Sequence, residues 1–238
     1  MIMRLSRLAL ILALPILLLG SCVVAIGDGA SDGFHSSWNW NSKRGSGVSA
    51  TQSRAVPEFS RVRIDGSSFV EVSVGGSQSL SVTADDNLID DLVTEVRNGE
   101  LVISTRDGVN ASYRVGPSVR IEVPALSAFT IHGSGDGRVR GLSGDTFAVS
   151  IQGSGDLSAS GRVTRLNVSI EGSGDADLMG LECQDASVAI EGSGDVSVHC
   201  SSSLTAAISG SGDIDYRGSP PHTSISVSGS GDVSPVNP

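Results

Sequence analysis

Six times between residues 133 and 232 the chain writes Gly-Ser-Gly-Asp, and the six aspartates, Asp136, Asp156, Asp175, Asp195, Asp213 and Asp232, recur every 18 to 20 residues. Carboxylates repeated at a fixed interval have two chemical uses. Brought into one file they could ligate a hard cation such as Ca²⁺, which takes about six to eight oxygens. Alternatively, each could accept hydrogen bonds from the amides of a tight turn, where Asp and Gly occur together. In register, neighbouring carboxylates about 4.8 Å apart repel by about 0.9 kcal/mol in bulk water and by roughly 3.5 kcal/mol at an effective dielectric of about 20. Such a file therefore needs full solvation, amide partners or cations. Turn capping is the expected role, with each Asp bonding its own corner, and loose Ca²⁺ binding is the alternative. A calcium-binding roll of glycine-rich repeats carries ligands on turns at both ends of each coil. Here the segments opposite the corners, "SASGRVTR", "LMGLECQD", "VHCSSSLT" and "RGSPPHT", share no Asp position. No other cofactor is expected.

The position just before each corner holds His132, Gln152, Glu171, Glu191, Ser209 and Ser228. Glu171 or Glu191 with Asp175 or Asp195 could supply the carboxylate pair of a polysaccharide-active enzyme. Against this, the same acids recur coil after coil, whereas catalysis needs one site with unlike environments. His35, His132, His199 and His222 have no metal-ligand spacing, and the G-x-S-x-G match at residues 29–33 lacks the strand and helix that would make it a nucleophile elbow. Cys183 and Cys200 lie 9 and 10 residues before their next corners, which predicts opposite faces of neighbouring coils. They are candidates for a disulfide, with two buried thiols as the alternative.

These residues must be positioned by short strands. Each corner is preceded by an alternating run: Phe129 and Ile131; Phe147, Val149 and Ile151; Leu166, Val168 and Ile170; Val188 and Ile190; Leu204, Ala206 and Ile208; Ile225 and Val227. Shorter runs follow, such as Leu157 and Ala159, Val196 and Val198, or Ile214 and Tyr216. A near-constant period of about 19 residues containing only short strands is too small for a domain and fits one coil of a parallel β-solenoid. Dividing the body by that period predicts some nine coils, a stack roughly 40 Å tall. Upstream, "FSRVRIDGSSFVEVSV" reads as strand, with Val62, Ile64, Phe69, Val72 and Val74 as inward candidates. "LIDDL" reads as one helical turn, Asn98-Gly99 as a hairpin turn, and "SVRIEVPAL" as a strand stopped by Pro124.

The first 21 residues read as an export signal: Arg4 and Arg7 in a short n-region, then "LALILALPILLL". Leu19-Gly20-Ser21-Cys22 resembles a bacterial lipobox, which makes Cys22 the expected lipidation site and a membrane, through that anchor, the first partner. By resemblance to enterobacterial sorting, Val23 after the cysteine implies the outer membrane. Residues 22–55 read as a flexible tether carrying Trp38 and Trp40, and residues 56–238 as the head. Loss of Arg4 and Arg7 leaves 14 basic residues against 26 acidic, a formal charge of −12. A surface so acidic repels polyanions, so no nucleic-acid partner is expected.

"PSVRIEVPALSAFTIHGSGDGRV", "NGELVIS", the repeated corners and "ISGSGDIDYRGSP" together resemble the autotransporter-adhesin head GIN domain family, formerly a domain of unknown function, over about residues 57 to 235. The resemblance implies an all-β, parallel β-helical head on secreted or lipid-anchored envelope proteins, and transfers no catalytic residue. The expected function is a non-enzymatic envelope lipoprotein displaying a binding, adhesion or assembly surface to a glycan or protein ligand. The alternatives are a periplasm-facing structural or sensing accessory and a polysaccharide-active enzyme.

Overall fold

The computed structural model describes residues 41–236. The leader, Cys22, Trp38, Trp40 and the tether up to residue 40 lie outside the described residues. Short apolar-polar alternation punctuated by glycine favours strands, and the described residues form strands and no helix. They are β1 (Asn41–Arg44), β2 (Ser49–Ser53), β3 (Arg61–Gly66), β4 (Phe69–Val74), β5 (Ser79–Asp85), β6 (Leu92–Arg97), β7 (Glu100–Thr105), β8 (Val109–Ser112) and β9 (Ser118–Val123). The repeat region follows as β10 (Ala128–Gly133), β11 (Asp136–Gly153), β12 (Leu157–Gly172), β13 (Ala176–Gly192), β14 (Val196–Gly210), β15 (Ile214–Arg217), β16 (His222–Gly229) and β17 (Val233–Pro235). From β11 to β14 each strand runs from one corner to the next and so makes one turn of the solenoid.

The period fixes the register. Ile131 pairs with Ile151, then Ile170, Ile190, Ile208 and Val227 in successive layers, and the corner glycines pair in the same sequence. Because side chains alternate between faces, this register stacks like on like into continuous apolar files. Fully burying each such side chain contributes roughly 1.5–3 kcal/mol. The inward runs read from the sequence are buried from Phe129 to Ile208.

On the side leading into the corners the parallel order is β7-β3-β10-β11-β12-β13-β14-β16, and on the side leaving them it is β9-β4-β11-β12-β13-β14-β15-β17. That makes eight layers rather than nine, because β5 and β6 do not join the parallel stack. They close one end instead, β5 antiparallel to β9 and β2, and β6 antiparallel to β7. The layer that comes first in sequence, β3 with β4, is second in space: β7 and β9 lie outside it, and residues 124–127 cross over to start β10 on its other face. Asn98 and Gly99, with φ of 52° and 76°, form the expected two-residue hairpin turn. Near residue 90, Leu88 and Ile89 both donate to the Asp85 carbonyl at 2.9 Å, giving a single turn.

Two expectations change here. The tether cannot extend to residue 55, because β1 pairs with β8 and β2 with β5. Gly45 there serves close packing: a Cβ on it would collide with the Asp85 carboxylate. Phe69 is not inward but 37% exposed, with the Arg138 guanidinium 5.9 Å from its ring. Alternation resets across Gly66-Ser67-Ser68-Phe69, a degenerate corner in register with Gly133-Ser134-Gly135-Asp136, so that Val70 takes the inward place in phase with Val72, which is buried as expected.

Two buried acids hold the entry segment. Burial alone would push the Asp85 carboxyl up, but N–H groups of Arg114 (2.8 Å), Gly47 (2.6 Å) and Val115 (3.1 Å), with the Arg114 charge, hold it below the usual carboxylate range. Asp91 is likewise held low, chiefly by the Lys43 ammonium at 2.7 Å against the opposing effect of burial, with Arg106 Nε at 3.2 Å adding to it. A carboxylate whose folded pKa is depressed stabilises the fold above its unfolded pKa of about 4, and that contribution disappears as pH falls through the folded value. Melting temperature followed by circular dichroism should therefore fall below about pH 4. In Asp91→Asn the acid limb should be shallower, and at pH 7 the variant should be less stable by about 1–3 kcal/mol.

Candidate functional site

The corner is built from a backbone constraint. Its first glycine has positive φ in every repeat, for example 133° at Gly153 and 141° at Gly192, which L side chains rarely adopt. The second glycine does not need that freedom but needs the space. A Cβ on Gly155, Gly174 or Gly194 would collide with the carbonyl oxygen of the matching glycine one layer below and crowd an isoleucine methyl of the core file. Both glycines are thus fixed by the stack, for different reasons.

The aspartates form a ladder between layers. Asp136 Oδ1 accepts the N–H of Asp156 at 3.1 Å, and the contact repeats from Asp156 to Asp175 at 3.1 Å, Asp175 to Asp195 at 2.8 Å, Asp195 to Asp213 at 2.8 Å and Asp213 to Asp232 at 2.8 Å. In return, the N–H of the residue after each Asp donates to the carbonyl of the next layer's Asp, as in Gly137 to Asp156 at 2.7 Å and Leu157 to Asp175 at 2.9 Å. The expectation that each Asp bonds its own corner is therefore corrected: the partner is one coil on. A corner bends out of the strand ladder and would strand an amide, and a side chain with one methylene reaches back from the layer beneath to satisfy it. The ladder starts at Asp136, whose own N–H bonds the Ser68 carbonyl at 3.1 Å because Phe69 offers no acceptor.

All six carboxylates are exposed, and five of them spend one oxygen on the next amide. Beside them Asp177 and Asp215 border a shallow acidic groove of about 270 Å³. Among the described residues no three His, Cys, Asp or Glu side chains converge as a metal would require. Glu171 and Glu191 are exposed on the side leading into the corners and line neither this groove nor the one described next.

The third stretch of each coil is where the repeat loses regularity. Residues 146–153, 165–172 and 185–192 pair without a slip, but register shifts occur between Val139 and Leu142, Ser158 and Ser160, Leu178 and Glu182, and Cys183 and Asp185. The full spread in repeat length is absorbed there: β13 has 17 residues and β14 has 15. The mismatch opens a groove of about 640 Å³ between Ser143, Arg162, Thr164, Glu182, Gln184, His199 and Ser201, with Val163 and Cys183 in its lining. Arg162 Nε donates to Glu182 Oε2 at 3.0 Å, and a second guanidinium nitrogen also reaches that oxygen. The pair is exposed, so it contributes little to stability, about 0–1 kcal/mol, and stays available to a ligand. Sequence reading missed this groove because its residues sit in the segments with no shared pattern. The uneven spacing of the corners was the signal available.

Cys183 and Cys200 are paired neighbours in adjacent layers, both buried, and both are free thiols. The expectation of opposite faces fails because the slips on either side of them take up the difference in offset. Burial, then Cys200 and Asp185, pushes the Cys183 thiol up to about 12, and its Sγ donates to the His199 carbonyl at 3.3 Å. Burial, then Asp185, raises Cys200. The thiolate is the reactive form, so neither thiol should alkylate in the native protein at pH 8. Denaturation without reductant should release both for alkylation, counted by mass spectrometry; a count of zero would show that the pair is oxidised in the cell.

Replacing Asp175 separates the two uses of the file. Asp175→Asn keeps the acceptor and should leave the melting temperature within a few degrees of the parent, whereas Asp175→Ala strands the Asp195 amide and should cost about 1–2 kcal/mol. Calcium should raise neither curve; a strong rise in the parent that both variants lose would make the file a cation site.

The fold and its corners define a parallel β-solenoid scaffold with one invariant edge and one variable side. Residues 58–220 match the family described as "Putative auto-transporter adhesin, head GIN domain", and the chain belongs to that family. Among solved structures it is similar to a "putative adhesin" from Bacteroides fragilis, at 20% identity and a TM-score of 0.67, covering 82% of this chain and 100% of that one. It is similar to a "putative lipid binding protein" from Parabacteroides distasonis, at 22% identity and a TM-score of 0.54, with 82% and 100% covered. A "putative adhesin" from Parabacteroides merdae aligns at 18% identity and a TM-score of 0.52, with 83% and 100% covered. At these identities the likeness is one of fold. No curated protein matches the chain.

Proposed function

We propose that this chain is a non-enzymatic adhesion module of the bacterial cell envelope, held to the outer membrane through lipid on Cys22, with the variable side of its solenoid as the binding surface. One observation carries the reading: from β11 to β14 every register slip falls after the first residues that leave a corner and before the run that leads into the next, while the corners and those incoming runs are held in strict register. In stacked-repeat proteins, variation collected on one face marks the face that meets ligands. The groove there pairs donors with acceptors, Arg162 with Glu182, beside Gln184, His199 and hydroxyls of Ser143, Thr164 and Ser201. Its formal charge balances in an otherwise acidic protein, and its size is that of a small-ligand site. A neutral, hydroxyl-rich glycan suits such a lining better than a charged polymer. The family's adhesin description supports the same reading.

The purified chain on a glycan array should retain a defined set of glycans. Arg162→Ala and Gln184→Ala should each reduce that signal about tenfold while leaving the melting temperature unchanged, because both side chains are at the surface. Retained binding in both variants would move the ligand surface elsewhere. In cells, Cys22→Ser should shift the protein from the membrane pellet to the soluble fraction, and antibody against the head should stain intact cells. Staining only after the outer membrane is opened would replace adhesion with a periplasmic role.

A further inference from the structure

The two ends of the solenoid are finished differently. At the first end the parallel stack stops against antiparallel strands, and the outermost, β6, carries Glu95 and Arg97. At the other end β16 pairs with β14 and β17 with β15, and among the described residues nothing pairs with their far edges. The core files run out into that end uncovered. Ile225 is 48% exposed and Val227 42% exposed, although they stand directly over Ala206 and Ile208, which are buried. Unpaired strand edges that stay soluble are usually protected by charges or inward-pointing Lys. From Gly218 to Val236 the chain has one charged residue, Asp232.

We infer that this end is an interaction surface for a second copy of the chain, the two solenoids meeting end to end through β16 about a two-fold axis. Charge selects the occupant. Two copies of so acidic a body repel over most approaches, and the open end is where charge is nearly absent. At the other end the edge strand β6 carries Glu95 and Arg97, which protect that edge against the apolar β16 and disfavour head-to-tail growth, so the contact closes as a symmetric pair. The register follows from the strand: antiparallel pairing centred on Ser226 sets Ile225 of each copy opposite Val227 of the other and continues the core files across the axis. The inference does not depend on what the side groove binds.

Sedimentation velocity of the membrane-extracted protein in mild detergent should give a particle of twice the protomer mass. Lysine at both positions, Ile225→Lys with Val227→Lys, should weaken association by roughly a hundredfold, because each copy would bury unpaired charges. Both positions are already exposed, so the melting temperature should hold. A short bis-maleimide should link Ser226→Cys in intact cells and should not link a control, Ser193→Cys, at an exposed corner. A monomeric parent would overturn the inference. So would a dimer that the double variant leaves intact, since its contact would lie elsewhere, or equal cross-linking at residues 226 and 193.

Discussion

Everything in this molecule depends on carbonyl oxygens sitting where a Cβ would otherwise be. At each corner the backbone of one layer comes so close to the layer below that both glycine positions exclude any side chain. The close approach lets the Ser N–H of one corner reach the first-glycine carbonyl of the corner below, at 2.8–3.0 Å through the series. Once two glycines are committed per coil, the layer spacing and the register of the adjoining strands follow, and the isoleucine file lands on itself without further specification.

The Asp ladder turns this steric constraint into a directional one. A glycine-rich corner is entropically costly to order, and its Asp N–H bonds a side chain rather than a backbone carbonyl of the neighbouring layer. A carboxylate that reaches the next layer's N–H, answered by an N–H returning to that layer's carbonyl, links successive coils twice at the position where the chain is least restrained. Slipping one coil by a residue would break both links and turn an apolar file toward water. The ladder is therefore as much a register lock as a source of stability. Its exposure explains how a row of like charges is tolerated: water screens the repulsion that would be several-fold larger in a less polar setting.

The parts legible in the sequence were those that repeat. Six identical tetrapeptides at 18–20 residue spacing specify the coil, and the alternation of Phe147, Val149 and Ile151 specifies which face is core. The first layers were less legible because their corner is degenerate. Gly66-Ser67-Ser68-Phe69 keeps one glycine and lacks the Asp, which is also why Phe69 was assigned to the wrong face. The out-of-order stacking of β3 with β4 left no local trace, since pairing to β7 rather than to β5 is decided by distant contacts. Entry strands β1 and β2 read as tether because Gly45 and Gly47 look like linker residues, whereas the missing Cβ of Gly45 admits the Asp85 carboxylate and Gly47, with φ of 86°, donates its N–H to it.

The site was hard to read for a related reason. A period reveals what is common to all coils, and a binding surface specific to one protein has to differ between them. Coils of 20 and 18 residues meet at β13 and β14, and since the corners permit no change of length, the two-residue difference can appear only on the third side. There it slips the pairing, places Cys183 beside Cys200, and opens the space between Glu182 and His199. The rigidity of the corner edge and the individuality of the groove are thus two consequences of one constraint: a stack that fixes its layers at one edge must collect its variation away from that edge, on a surface held by the rest.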